Sequence, residues 1–210
     1  MTTATLQANP QFRVLASNDQ ITRAAALERN GFSVVVVDTA DEARSAVLDL
    51  IPPGAEVFTG SSRTLETTGI AQAINTSGDY DSVRTKLGAL DRVKDGERMR
   101  KLGASPNYIV GSVHAVTEHG EVLVASASGS QLGPYASGAG KVVWVVGAQK
   151  IAASLDEGFQ RIREYSLPLE DARARQVYGM PSVVAKVLLV NRELFPGRTT
   201  IVLVKEELGF

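Results

Sequence analysis

A few short stretches of this chain carry side chains able to bind or transform a ligand. The first is Thr59-Gly60-Ser61-Ser62-Arg63-Thr64. Gly60 lets backbone come close to a ligand, Ser61 and Ser62 offer hydroxyls, and Arg63 brings a forked cation suited to phosphate or carboxylate. The same residues also describe a plain strand-to-helix turn, capped by Ser62, with Arg63 in water. The second is the small-residue run Ser128-Gly129-Ser130-Gln131-Leu132-Gly133, whose amides could form an anion nest. An ordinary surface loop has the same composition. Third, Gly147-Ala148-Gln149-Lys150 places Lys150 where it would neutralise a bound anion, or merely end a strand. Glu118, beside a turn, is the carboxylate to consider as an acid or base; a solvated turn carboxylate is the alternative. Arg161, Arg163, Arg173 and Arg175 either converge on a ligand or simply balance helix macrodipoles.

Composition narrows the chemistry. The 210 residues contain no cysteine, which removes disulfides, thiolate nucleophiles, and cysteine-held zinc or iron–sulfur clusters. The two histidines, His114 and His119, lack the HxH or HxxxH spacing of metal ligands, so no metal site and no cofactor are expected. His114 lies in an alternating strand and reads as packed or hydrogen-bonded; His119 reads as an exposed turn residue. Lys plus Arg number 22 against 23 Asp plus Glu, which argues against a nucleic-acid partner. No apolar run approaches the roughly 18–20 residues of a membrane span. The polar start, Met1 to Pro10, has no signal-peptide pattern, so a soluble cytoplasmic protein is expected.

The elements that must position these residues alternate between helix and strand. Residues 19–30 read as a helix capped by Asn18 or Asp19 and stopped by Asn30-Gly31. The run from Phe32 to Val37 reads as a buried strand. Thr39 and Glu42 form a capping box for a helix whose apolar stripe is Ala43, Val47 and Leu50. A strand over 55–59 leads into a helix over 64–70, then into one long amphipathic helix over 84–101. A strand over 108–111 precedes a hairpin, 113–117 with 121–125, turned at His119-Gly120. Lys141–Val146 is the clearest strand, with Trp144 in its core. Ser154 and Glu157 suggest a second capping box, for a helix that Pro168 ends. The tail adds an apolar run over 183–190 and a strand over 200–204. This order predicts an α/β fold: one domain, 19–210, with a mostly parallel central sheet flanked by helices and an inserted β-hairpin. Residues 1–18 read as an N-terminal extension. In such sheets ligands gather beyond the carboxyl ends of the strands.

Taken together, the stretches resemble the LUD-domain (lactate-utilisation) family. The matching residues run Gly60-Ser61-Ser62-Arg63-Thr64-Leu65-Glu66, Gly111 to Glu118, Ala125 to Gln131, Val143 to Ile151, and Pro196 to Val204. The resemblance spans about residues 20–210. It implies a fold similar to the sugar-isomerase and CoA-transferase superfamily, with a small phosphorylated or carboxylated metabolite held over the strand ends. It implies support of lactate-to-pyruvate oxidation or related metabolism, with iron–sulfur and oxidoreductase subunits as partners. The alternative it leaves open is a non-catalytic accessory subunit docking to those partners. Some relatives carry cysteines towards the C-terminus; the corresponding stretch here is Tyr178-Gly179-Met180-Pro181-Ser182.

Overall fold

Unbroken runs of β-branched residues are stable only where both faces of a strand are covered. Val142–Val146 meets that condition in the centre of a parallel sheet. A computed structural model describes residues 6–210; residues 1–5, the start of the extension read from the sequence, lie outside the described residues. Along the chain come α1 (Asn18–Ala24), β1 (Ser33–Val37), α2 (Ala40–Asp49), β2 (Glu56–Thr59), α3 (Arg63–Thr67) and α4 (Ile70–Thr76). They are followed by β3 (Asp81–Ser82), α5 (Val83–Gly88), α6 (Gly96–Ala104), β4 (Tyr108–Gly111), β5 (Ala115–Thr117) and β6 (Val122–Ser126). The last third holds β7 (Lys141–Gly147), β8 (Ile151–Ala152), α7 (Leu155–Arg161), α8 (Leu167–Tyr178), β9 (Lys186–Val190) and β10 (Thr199–Val204).

Six strands form one parallel sheet in the order β1-β10-β7-β4-β2-β3. Because side chains alternate along a strand, Val142, Trp144 and Val146 face one side with Ile201 and Leu203. Val143 and Val145 face the other with Val202 and Val204, against Ala43 and Val47 of α2 and Ile70 and Ile74 of α4. Each such buried side chain contributes roughly 1.5–3 kcal/mol. The fold class expected from the alternation of elements is the one observed.

The hairpin is more than an insertion. β5 and β6 belong to a second sheet of order β8-β5-β6-β9, in which β5 runs parallel to β8. One face of it packs on α7 and its continuation through Ala115, Leu123, Ala125 and Ile162. The parallel neighbours β4 and β7 therefore leave the first sheet side by side, at Gly111 and Gly147, and re-emerge as β5 and β8. This double bend is the structural event that makes the site.

Several local expectations are corrected. Strand β1 is an edge strand with Val36 exposed, not a buried one, because only β10 pairs with it. The long helix over 84–101 is two, α5 and α6, divided where the Asp91 carboxylate accepts the amides of Val93 and Lys94. The α1 cap is Ser17, whose hydroxyl and carbonyl accept the amides of Gln20 and Ile21. In α2 the capping box holds, but Leu50 is exposed and Ile51 is buried in its place. Pro168 ends nothing: a π-helical turn over Ile162–Ser166 joins α7 to α8, and the proline sits in the first turn of α8, where its missing N–H is harmless. Of the expected extension, a 3₁₀ turn at Pro10–Arg13 buries Phe12, and Arg13 pairs with Glu207.

A Cβ on Gly111, at the bend of β4, would overlap the buried Tyr135 hydroxyl. Gly111→Ala should therefore lower the unfolding free energy by about 1–3 kcal/mol in a denaturant titration.

Candidate functional site

The bend of β4 and β7 strands backbone carbonyls in the interior, and buried side chains answer them. Arg161, almost wholly buried at the end of α7, donates to the carbonyls of His114 (2.6 Å) and Gln149 (3.2 Å) and to Ser166 Oγ (3.0 Å). Ser112 Oγ donates to the Val145 carbonyl at 2.7 Å, crossing from one strand of the bend to the other. The Gln149 amide donates to the carbonyls of Leu208 (3.0 Å) and Gly209 (3.2 Å), tying the C-terminal segment to the bend. Lys150, 1% exposed, donates from Nζ to Thr64 Oγ1 and to Ser112 Oγ, each at 3.0 Å.

Lys150, Ser112 and Thr64 form the floor of a cleft of about 270 Å³ at the carboxyl ends of β2, β4 and β7, with Arg161 and Gln149 behind it. Its walls are the 60–64 segment, Arg84 of α5, residues 126–128 and 130–131, Tyr135, and the end of α8 with Arg173 and Tyr178. Four basic side chains line it: Arg63, Arg84, Lys150 and Arg173. The two lining carboxylates are already engaged, Glu66 by Arg63 at 2.7 Å and Glu170 by Arg173 at 2.7 Å. Among the described residues, neither Arg84 nor Lys150 nor Arg161 behind the floor has a carboxylate within 4.0 Å. Arg84 instead donates to the Thr59 carbonyl (2.5 Å) and Ser61 Oγ (3.3 Å) and lies over the Phe58 ring.

Uncompensated burial shows in the proton affinities. Burial, then the Arg161 charge, holds the Lys150 amine well below the ordinary lysine range. Burial brings Arg161 down to about 10 and also lowers Arg84. Burial, with Lys150 and Arg161 adding repulsion, pushes His114 down to about 3. The His114 Nδ1 accepts the amide of Ala125 at 3.1 Å, so the neutral ring carries its proton on Nε2. It is a donor in the cleft wall rather than a base.

The fold brings together most of the residues singled out from the sequence. Gly60, Ser61, Ser62, Arg63, Ser128 and Lys150 all line the cleft. Ser62 also caps α3 by accepting the Leu65 amide, and Arg63 is an exposed rim residue paired with Glu66. Gly129 does not line the cleft. Its amide is donated to Ser126 Oγ and that of Ser130 to Ser128 Oγ, so these two N–H groups are not left open to an anion. Glu118 lies at the hairpin tip outside the cleft, bound by Arg23 at 2.5 Å, and that hydrogen bond holds its carboxyl below the usual range. The four arginines do not converge: Arg161 is buried under the floor, Arg173 and Arg175 pair with Glu170 and Asp171, and Arg163 is exposed. Sequence reasoning missed Arg84, Ser112 and Tyr135 as cleft residues. Only Ser112 left a signal, as part of the Gly111–Glu118 stretch.

Among the described residues no group of three or more His, Asp or Glu side chains is placed to hold a metal ion. No described helix is long and apolar enough to cross a membrane.

The family model described as "LUD domain" matches residues 23–204, most of the chain. The chain belongs to the LUD-domain family. A solved structure described as a DUF162 family protein from Deinococcus radiodurans is similar over 91% of this chain and 99% of that one, with a TM-score of 0.54 and 10% identity. That likeness concerns the fold. No curated protein matches the chain. In this LUD domain the Tyr178–Ser182 stretch borders the cleft through its two end residues.

Two measurements check the site. Below pH 6.5 the unfolded chain protonates His114 while the folded one does not, down to about pH 3. Stability should therefore fall with acidification by up to about 1.4 kcal/mol per pH unit from this group. In His114→Gln that part of the slope should vanish in urea titrations between pH 7 and 4. Arg161→Met strands three buried acceptors and should cost about 2–4 kcal/mol in the same assay.

Proposed function

We propose that the cleft binds a small carboxylated or phosphorylated metabolite, in support of lactate-to-pyruvate oxidation or related metabolism. The observation that carries this reading is a partly buried guanidinium without a carboxylate partner in a hydroxyl-lined cleft. Arg84 is half-buried, has no carboxylate partner, and points its guanidinium along the wall beside Ser61. A desolvated cation of this kind gains most from an anion that arrives with its own charge. Arg63 and Arg173, already paired on the rim, add attraction at longer range, and the hydroxyls of Ser62 and Ser128 complete the lining. The family's association with lactate utilisation supports the choice of small acids among the ligands to try.

A second reading has its own observation. Val177, Met180, Val183, Val187 and Leu189 are exposed on the last turn of α8, the following loop and the edge strand β9. An unprotected apolar edge of this kind suits a protein partner, which fits an accessory subunit docking to iron–sulfur or oxidoreductase subunits. Affinity capture at low salt checks it: a partner held by the wild type and lost with Val187→Asp supports docking, and recovery of the chain alone counts against it.

A thermal-shift panel of lactate, pyruvate, inorganic phosphate and sugar phosphates tests the first reading. A ligand at about a hundred times its dissociation constant stabilises by about 2.7 kcal/mol, a rise of roughly 5–10 °C for a chain of this size. Calorimetry should then show Arg84→Ala weakening the active compound by about ten- to a hundredfold, the worth of one charge-assisted hydrogen bond. Arg63→Ala should cost less, because Glu66 already balances that charge. Silence across the panel would remove the anion-binding reading.

A further inference from the structure

The hydrogen bonds around Lys150 require its amine to supply at least two protons. A hydroxyl has one proton to give. That of Thr64 goes to the Leu208 carbonyl (3.1 Å) and that of Ser112 to the Val145 carbonyl (2.7 Å). Both hydroxyls can therefore only accept from Nζ, and the amine donates twice. A neutral amine has two N–H bonds and one lone pair. With both donated, its lone pair occupies the remaining tetrahedral direction. An ammonium would carry a third N–H with no protein acceptor, in an interior shared with the Arg161 cation and, among the described residues, without a carboxylate in reach. Lys150 nevertheless lines the cleft. A desolvated lysine next to another cation is the arrangement that turns an amine into a nucleophile at neutral pH.

We propose that Lys150 is a nucleophilic amine that condenses with a carbonyl carbon of the cleft's ligand, and that the ligand class is accordingly an anionic carbonyl compound. This rests on the anion-binding reading for the charge of the ligand, and on Lys150 alone for its carbonyl. The Nζ lone pair forms the new N–C bond as the C=O π pair moves to oxygen. One amine proton passes to that oxygen to give a carbinolamine. The second leaves with the oxygen as water when the C=N bond forms. Lysine and carbonyl thus yield an imine and one water, with no oxidant or reductant consumed. Thr64 and Ser112 are positioning residues that hold the amine by its two N–H bonds. Arg84 stands on the wall to meet the anionic end.

The full chain is incubated with pyruvate or with glyceraldehyde 3-phosphate, each with sodium cyanoborohydride, and read by intact mass and peptide mapping. The expected product is a single adduct at Lys150, its added mass that of the probe less one oxygen atom, absent from Lys150→Arg. Protection of the adduct by lactate or by inorganic phosphate tells carboxylate from phosphate. No adduct, or the same scattered surface labelling in wild type and Lys150→Arg, overturns the proposal. If pyruvate or phosphate still raises the melting temperature in that case, the anion-binding reading survives. If neither does, both fall. A second readout needs no ligand. The stability of the wild type relative to Lys150→Met should rise as pH increases towards the unfolded lysine's 10.5, because only the unfolded chain holds the proton. At the limit the unfolding constant falls about tenfold per pH unit relative to that of Lys150→Met. A difference that stays flat or falls with pH overturns the neutral amine.

Discussion

Two neighbouring parallel strands leave one sheet together and enter another, and everything at the site depends on how the carbonyls exposed at that bend find donors. Buried carbonyls need partners, and here side chains supply them. Arg161 reaches across to the carbonyls of His114 and Gln149, and Ser112 reaches to that of Val145. The cations are there first as structural ties. Their surplus charge is a consequence, because the carbonyls supply partial negative charge but no full counter-ion.

That origin gives the cleft its character. An ordinary buried lysine or arginine pairs with a carboxylate, which cancels its field. Here the two lining carboxylates sit on rim arginines, and the deeper guanidinium groups of Arg84 and Arg161 are held by neutral oxygens. The field inside therefore stays positive without a strongly basic chain: the sequence carries a formal charge of −1. The same burial keeps His114 neutral, so that the ring donates into the cleft without adding charge of its own.

The C-terminal segment is part of this economy. Gln149 and Thr64 both bind the Leu208 carbonyl, and Gln149 Oε1 accepts the Leu208 amide at 3.3 Å. A Cβ on Gly147 or Gly209 would invade these contacts; close approach explains glycine at 147, and at 209 it adds to a left-handed backbone with φ of 63°. Phe210 then closes one side of the cleft.

From the sequence alone came the α/β class, five of the six strands of the central sheet, the capping box of α2, the hairpin turn and part of the cleft lining, including the 60–63 segment and Lys150. These were legible because they are local: a β-branched run, a Thr-x-x-Glu spacing or a glycine after a strand acts over a few residues. Edge or centre for β1, the second sheet, the π turn that absorbs Pro168, and the place of Arg84 were decided only in three dimensions. Each depends on which distant segment supplies a neighbour. Glu118 shows the reason most plainly. Its type and its place beside a strand end suit a base, yet the bend turns β5 away and leaves the carboxylate with Arg23 on the far end of the second sheet. Sequence spacing sets what a residue is able to do, and only packing sets what it faces.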